Sequence, residues 1–194
     1  MFSGIIQAIG KIQKSSTKNG SLFLTFEKPK NWKLKLGDSV ATNGVCLTVQ
    51  ALTKNSYTTE LMPETLERST FGKDIPKLVN LEPSVTLATM MDGHLVQGHV
   101  DTVGSIRELT DKGRSRIYKI TFPKKYAHLV AEKGAVTIDG ISLTVVDCGN
   151  DWFTVSLVDY TIEHTTLGTK KKGELVNLEF DVFAKYISRM LKKS

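Results

Sequence analysis

Two short segments carry the residues richest in chemistry. Asn43-Gly44-Val45-Cys46-Leu47-Thr48-Val49 recurs 96 residues later as Asp139-Gly140-Ile141-Ser142-Leu143-Thr144-Val145, identical or chemically close at every position except Cys46 against Ser142. The leading Asn-Gly and Asp-Gly dipeptides are ordinary hairpin turns on their own. The alternation of the strand that follows puts Cys46 and Thr48 on one face, and Ser142 and Thr144 likewise. If that face meets a ligand, one copy offers a thiol and a hydroxyl, and the other offers two hydroxyls. A thiol at such a position also fits a small buried hydrophobe, so its meaning depends on the rest of the chain.

Histidine supplies the other candidates. In His94-Leu95-Val96-Gln97-Gly98-His99 the two imidazoles are five residues apart, which a strand directs to opposite faces, and the spacing matches no zinc pattern. No metal site is expected. His99 stands where the first copy has Ile5, so the polar residue is not a structural necessity, and a neutral imidazole can give or take a proton near pH 7. His164 stands opposite Arg68 and reads as a surface or loop residue.

These residues sit in an internal duplication. At the same 96-residue shift, LMPETLERSTFG from Leu61 to Gly72 meets LVDYTIEHTTLG from Leu157 to Gly168. Val79-Asn80-Leu81-Glu82 returns as Val176-Asn177-Leu178-Glu179, and Gly4 to Gly10 parallels Gly98 to Gly104. Four blocks in the same order with small changes of shift mean duplication with short loop insertions. Within each copy, runs such as Ser21-Leu22-Phe23-Leu24-Thr25-Phe26 and Ile117-Tyr118-Lys119-Ile120-Thr121-Phe122 read as strands. Lys18-Asn19-Gly20, Lys112-Gly113 and Gly149-Asn150-Asp151 read as turns between strands. The expectation is an all-β chain of two tandem, similar, six-stranded antiparallel barrels, over residues 1–90 and 91–181. Short helical turns are possible near residues 30–36 and 124–132. Over residues 182–194, Phe183, Tyr186, Ile187, Met190 and Leu191 fall on one stripe of a C-terminal helix of about three turns. A helix that short needs a partner for its stripe, either its own barrel or a neighbouring subunit.

Composition excludes several classes. The hydrophobic and charged fractions of 40% and 24% suit a folded globular chain, and no run approaches the roughly 20 apolar residues of a membrane span. The N-terminus lacks the basic region of a signal peptide, and its apolar run stops at Gln7. Two isolated cysteines give neither a disulfide framework nor a metal knuckle, which points to a reducing, cytoplasmic setting. The net charge of +6 gathers largely in Lys170-Lys171-Lys172 and Lys192-Lys193, as a solvated basic surface. Nucleic-acid binding would require aromatics interleaved with cations on a strand face, and the strand faces here are apolar.

Four collinear motifs resemble the signatures of the α-type riboflavin synthases: Met1-Phe2-Ser3-Gly4-Ile5-Ile6, Gly37-Asp38-Ser39-Val40-Ala41-Thr42-Asn43-Gly44-Val45-Cys46-Leu47-Thr48-Val49, Gly93-His94-Leu95-Val96-Gln97-Gly98-His99-Val100-Asp101 and Ile138-Asp139-Gly140-Ile141-Ser142-Leu143-Thr144-Val145. The likeness spans almost the whole chain. It implies Greek-key barrels, association of three subunits through the C-terminal helix, and no metal or redox cofactor. The implied reaction is the dismutation of two 6,7-dimethyl-8-ribityllumazine molecules, in which one gives the other a four-carbon unit. Its products are riboflavin and 5-amino-6-ribitylamino-2,4(1H,3H)-pyrimidinedione.

By the resemblance, the site lies between the N-terminal barrel of one subunit and the C-terminal barrel of the next. Ser39, Cys46 and Thr48 fall on one side, and His99, Lys133, Ser142, Thr144 and Asp181 on the other. Substrate-lining stretches follow as Gly4-Ile5-Ile6, Cys46-Leu47-Thr48, Glu60-Leu61-Met62-Pro63-Glu64-Thr65, Gly98-His99-Val100, Ser142-Leu143-Thr144 and Ser156-Leu157-Val158-Asp159-Tyr160-Thr161. His99 is the candidate for proton transfer, and Ser39 or Cys46 for activating or stabilising the acceptor. The chain departs from the family pattern at Asp159-Tyr160, where Pro-Glu is more usual, and at Asp92, where glycine is common. The rival reading is a non-catalytic lumazine- or flavin-carrying homologue, against which the intact Gly93-to-Asp101 motif counts.

Overall fold

The computed structural model describes residues 1–113 and 115–191. Among the described residues, twelve strands form two closed antiparallel barrels of identical topology. The first contains β1 (Ala8–Lys18), β2 (Ser21–Glu27), β3 (Ser39–Thr42), β4 (Val45–Leu52), β5 (Ser56–Leu61) and β6 (Leu78–Pro83). The second contains β7 (Thr102–Asp111), β8 (Ser115–Thr121), β9 (Ala135–Ile138), β10 (Ile141–Cys148), β11 (Trp152–Val158) and β12 (Leu175–Phe180). Around the first barrel the order is β1-β2-β5-β4-β3-β6, and the second repeats it with the equivalent strands, a Greek-key arrangement.

Alternation sets which side chains fill each barrel. In β4, Val45, Leu47 and Val49 are buried while Cys46 and Thr48 face outward. Leu24, Phe26, Tyr57 and Leu81 complete the first core, and Ile106, Tyr118, Phe153 and Phe180 are among those filling the second. Register shifts interrupt β1, β4, β7 and β10 at equivalent places. Such bulges bend a strand and raise its twist, which helps a six-stranded sheet close.

Four local features bear on the expectations. Residues 30–36 form no helix: after a turn in which the Trp32 N–H donates to the Pro29 carbonyl, Trp32 and Leu34 pack on the first core from an irregular segment. Residues 124–129 form a short 3-10 helix. Each fifth strand runs into a one-and-a-half-turn helix, α1 (Pro63–Arg68) and α2 (Asp159–His164). The final helix, α3 (Val182–Leu191), buries Val182, whereas Phe183, Tyr186, Ile187, Met190 and Leu191 are all more than half exposed. Its stripe is therefore not covered by its own barrel. Lys192 and Lys193, and with them the end of the expected helix, lie outside the described residues. Among the described residues no helix is long and apolar enough to cross a membrane.

The barrels meet about an approximate two-fold axis. The turns Asn43-Gly44 and Asp139-Gly140 adopt positive φ at all four residues, the geometry of a type I′ hairpin. They also touch: a Cβ on Gly44 would lie 2.7 Å from the Gly140 nitrogen, and one on Gly140 2.8 Å from that of Gly44. Buried Asn80 donates from Nδ2 to the Asp139 carbonyl at 2.9 Å and accepts from the Thr166 N–H at 2.8 Å. Buried Asn177 mirrors it, donating to the Asn43 carbonyl at 2.8 Å and accepting from Thr70 N–H at 2.7 Å. Asn80→Ala strands two buried backbone groups, and urea unfolding is expected to show a loss of about 2–5 kcal/mol. A loss under about 0.5 kcal/mol, the range of ordinary surface substitutions, would show that the barrels do not depend on this network.

Candidate functional site

Each barrel is completed by a backbone arm that runs between the two. Phe2 and Val96 pair as an antiparallel bridge, with N–H to carbonyl distances of 2.8 and 3.1 Å. Beyond that bridge the arms cross. The Gly98 carbonyl accepts from the Cys46 N–H of β4 at 2.8 Å, and the Gly4 carbonyl accepts from the Ser142 N–H of β10 at 2.8 Å. Val100 packs on the first core and Ile6 on the second. Neither arm has room for a side chain where it touches. A Cβ at Gly98 would fall 2.6 Å from the Cys46 Cβ, and one at Gly4 2.6 Å from the Ser142 Cβ.

In the first barrel this construction leaves a cavity of about 300 Å³, lined by Val45, Cys46, Glu64, Thr65, Arg68, Gly98, His99 and Val100. His99 therefore stands with Cys46. The resemblance sets His99 across from Cys46, beside Ser142; within the chain it stands beside Cys46 instead, because the segment carrying it lies against the first barrel before β7 begins. Glu64 and Arg68, one turn apart on α1, form an exposed ion pair at 3.1 Å on the cavity rim. Glu60 accepts from Gln50 Nε2 at 2.7 Å, which holds its carboxyl below the usual range. Ser39 on β3 pairs with Thr48 of β4, outside the cavity lining. Leu47, Leu61 and Leu157 are core residues and can meet a ligand only through their main chain.

The second barrel presents the equivalent face with different groups. The Ser142 hydroxyl lies 2.7 Å from His94 Nδ1, and His94 Nε2 lies 3.3 Å from Thr137 Oγ1. Burial pushes the His94 imidazole below its usual value, and Asp181 opposes this in part. Where α1 carries an ion pair, α2 carries a stack: the Tyr160 and His164 rings are 4.0 Å apart, and His164 Nδ1 donates to the Tyr160 carbonyl at 2.9 Å. Tyr160 is exposed, as are Ser156, Val158, Asp159 and Thr144, with Thr161 half-buried. Lys133 occupies an exposed left-handed position, φ 62°, before β9, and Asp181 accepts from the Phe183 N–H at 2.9 Å at the start of α3. Among the described residues no three His, Cys, Asp or Glu side chains converge in a metal-binding group.

Sequence reasoning misses His94, which spacing considers only as a metal ligand. It also misses Glu82 and Glu179. Glu82 Oε1 accepts from both the N–H and the hydroxyl of Ser3 at 2.7 Å, and its Oε2 from Gly4 N–H at 3.0 Å. Glu179 Oε1 accepts from Gln97 N–H at 2.7 Å, and its Oε2 from the Gly98 and His99 N–H groups at 2.9 and 3.0 Å. The available signal is the exact repetition of Val-Asn-Leu-Glu, with two polar residues kept in a strand that proves buried throughout those four positions.

Two closed Greek-key barrels that share their arms and present paired, unlike polar faces define a protein of tandem ligand-binding barrels. The Lumazine binding domain family matches it twice, over residues 3–84 and 97–181. Full-length relatives narrow the class. The riboflavin synthase of Actinobacillus pleuropneumoniae is 42% identical over 195 residues, covering 100% of this chain and 91% of that protein. That of Mycobacterium tuberculosis (strain ATCC 25618 / H37Rv) is 42% identical over the full length of both chains, and that of Bacillus subtilis (strain 168) is 36% identical, covering 100% and 91%. The chain belongs to the riboflavin synthase family. Among solved structures, LumP complexed with riboflavin superposes with a TM-score of 0.85 over 93% of this chain and 100% of its own, at 23% identity, which shows the fold.

The depressed His94 value has a defined consequence for pH. The folded state holds the neutral imidazole more firmly than the unfolded chain does, so the stability it contributes is present above pH about 6.5 and is lost as the pH falls further. Denaturant unfolding of the unsubstituted chain should weaken between about pH 7 and 5 relative to His94→Gln. Parallel curves for the two proteins would contradict a neutral His94 on Ser142.

Proposed function

We propose that the chain dismutates two molecules of 6,7-dimethyl-8-ribityllumazine to riboflavin and 5-amino-6-ribitylamino-2,4(1H,3H)-pyrimidinedione. The observation that carries this reading is the pair of unlike half-sites in one duplicated fold. The reaction uses two identical molecules in opposite roles, so matched positions must bind the shared ring and ribityl chain while unmatched positions assign donor and acceptor. The unmatched positions are Cys46 against Ser142, Ile5 against His99, Ser39 against Ala135, and Glu64-Arg68 against Tyr160-His164.

The chemistry asks for proton transfer and for orientation. Removal of a proton from the C7 methyl of one lumazine gives a carbanion that attacks the other, which is primed by addition of a nucleophile. Transfer of four carbon atoms then yields the two products, whose atoms sum to those of two substrates, and no outside oxidant is consumed. His99 beside Cys46 supplies a proton acceptor and a thiol in the first half-site, with Ser39 on the adjoining strand. Ser142 with His94 supplies a hydroxyl whose proton has an imidazole to move to in the second, with Lys133 and Asp181 at its margin. Holding two flat rings face to face is worth about 7–11 kcal/mol of the barrier, so the side chains refine a reaction that is mainly set by placement.

The first cavity, about 300 Å³, is at the small end of ligand sites and suits one bicyclic ring rather than a stacked pair. We therefore propose that the second ring arrives on another subunit, with the C-terminal barrel of one chain facing the N-terminal barrel of the next in a homotrimer. The uncovered stripe of α3 supports this assembly. The working units are residues 1–90, 91–181 and 182–194, linked by the exchanged arms. Cys46 and Cys148 are both free thiols, in keeping with a cytoplasmic enzyme.

Incubation with dimethylribityllumazine alone should generate riboflavin absorbance. Tight binding of the ligand without product would favour a carrier instead. His99→Ala and Cys46→Ser are each expected to reduce turnover about 10- to 100-fold while lumazine binding persists, below the usual weight of a proton-transfer group because placement of the two rings supplies most of the acceleration. Wild-type rates in both would remove them from the mechanism. A chain ending at Asp181 is expected to sediment as a smaller species than the full chain, and an unchanged trimer would refute the role of α3.

A further inference from the structure

The two barrels do not build their own half-sites, and the groups that fix each site sit on the opposite barrel. Glu179 belongs to β12 of the second barrel, yet its three acceptor contacts run to Gln97, Gly98 and His99. Of these, Gly98 and His99, with Val100 beyond them, line the cavity that contains Cys46 on the first barrel. The carboxylate lies behind the wall, buried at 3% exposure, and does not line the cavity. Its two oxygens engage three successive N–H groups, so the backbone that presents His99 has one fixed pose. The Gly98 carbonyl on the same arm then closes the contact to Cys46 N–H. Glu82 on the first barrel holds Ser3 and Gly4 in the same way, and the Gly4 carbonyl meets Ser142 on the second.

We propose that Glu179 is a positioning residue for the half-site on the other barrel, setting His99 against Cys46, and that Glu82 is its counterpart for Gly4 and Ile5 against Ser142. The inference rests on reading the Cys46 cavity as a lumazine half-site. It adds that each half-site is aligned from across the interface, so a substitution in one barrel weakens the ligand held by the other. A backbone displacement of about 1 Å at a reacting group can cost up to about 100-fold, and losing a carboxylate that aligns three N–H groups removes the restraint against such a shift.

Alkylation of Cys46 by iodoacetamide, read by peptide mass spectrometry with riboflavin as the protecting ligand, reports on the first half-site alone. Cys148, on β10 of the second barrel, is the internal reference for general loosening. Because the arm backbone, rather than the His99 imidazole, walls the ligand, Glu179→Gln is expected to raise the riboflavin concentration that half-protects Cys46 by about 10-fold, the scale of one charge-assisted hydrogen bond, with the Cys148 labelling rate unchanged. Glu82→Gln, the equivalent change in the first barrel itself, is expected to move it by less than about 3-fold. An unchanged midpoint in Glu179→Gln, an equal shift in both variants, or faster labelling of Cys148 in Glu179→Gln would each overturn the proposal. If Glu179→Gln does not fold, Glu179→Asp decides by the same criteria, since its shorter side chain withdraws from the arm while keeping the charge. Failure of riboflavin to protect Cys46 in the unsubstituted chain would defeat the half-site reading, and the inference with it.

Discussion

The clamp of a buried carboxylate on a crossing backbone arm is the constraint on which the rest of this molecule depends. Glu82 and Glu179 are each 3% exposed, and burial is the largest influence on both, raising their carboxyls above the usual range while the arm N–H groups pull the other way. A raised carboxyl favours the folded state most below its ordinary titration range, and that contribution fades as the pH rises through the raised value. What both carboxyls do in the structure is geometric: they accept the arm N–H groups and fix the arm's path. Without them the arms have main-chain contacts at Phe2, Val96, Gly4 and Gly98 but nothing to hold the intervening N–H groups, and the cavity beside Cys46 loses a wall.

Around that clamp the duplication is kept where it binds the barrels together and broken where chemistry is asked for. Asn80 and Asn177 make the same two side-chain contacts reciprocally across the interface, and Gly44 and Gly140 press on each other's backbone. The departures lie on the outer faces. A thiol faces a hydroxyl, an isoleucine a histidine, and a charged pair on α1 an aromatic stack on α2. One departure lies at the interface itself, where Asp139 replaces Asn43 and is answered by Lys170 at 3.6 Å. Burial raises the Asp139 carboxyl, and the lysine opposes it. A symmetric pair of sites would bind two lumazines alike, whereas unlike sites can give one molecule the donor role and the other the acceptor role.

The fold is readable in the sequence because its signals are local or periodic. The 96-residue shift reveals two copies, alternation in segments such as Val45 to Val49 gives strands with a polar outer face, and Phe183 to Leu191 gives a helical stripe. Much of the site is readable for the same reason, since Cys46 and Ser142 stand out as the mismatch in a matched pair. What the sequence does not contain is the crossing. Alignment of the copies makes His99 the equivalent of Ile5 but says nothing about which barrel either residue touches, and the resemblance sets His99 across from Cys46 rather than beside it. The tertiary bonds from Glu179 and Cys46 decide it. His94 escapes because its partner, Ser142, is 48 residues away. The helix α1 escapes because six residues are too few for a periodic pattern, although Pro63 and the Glu64-Arg68 spacing mark it.

The central claim is that each chain holds two unlike half-sites, each finished by an arm. Titration of the protein with ¹³C-labelled riboflavin, followed by NMR, tests this most directly. The account predicts two separate bound sets of resonances per chain, one altered selectively by His99→Ala and the other by His94→Ala. A single bound set, or the same response of both sets to either substitution, would contradict it.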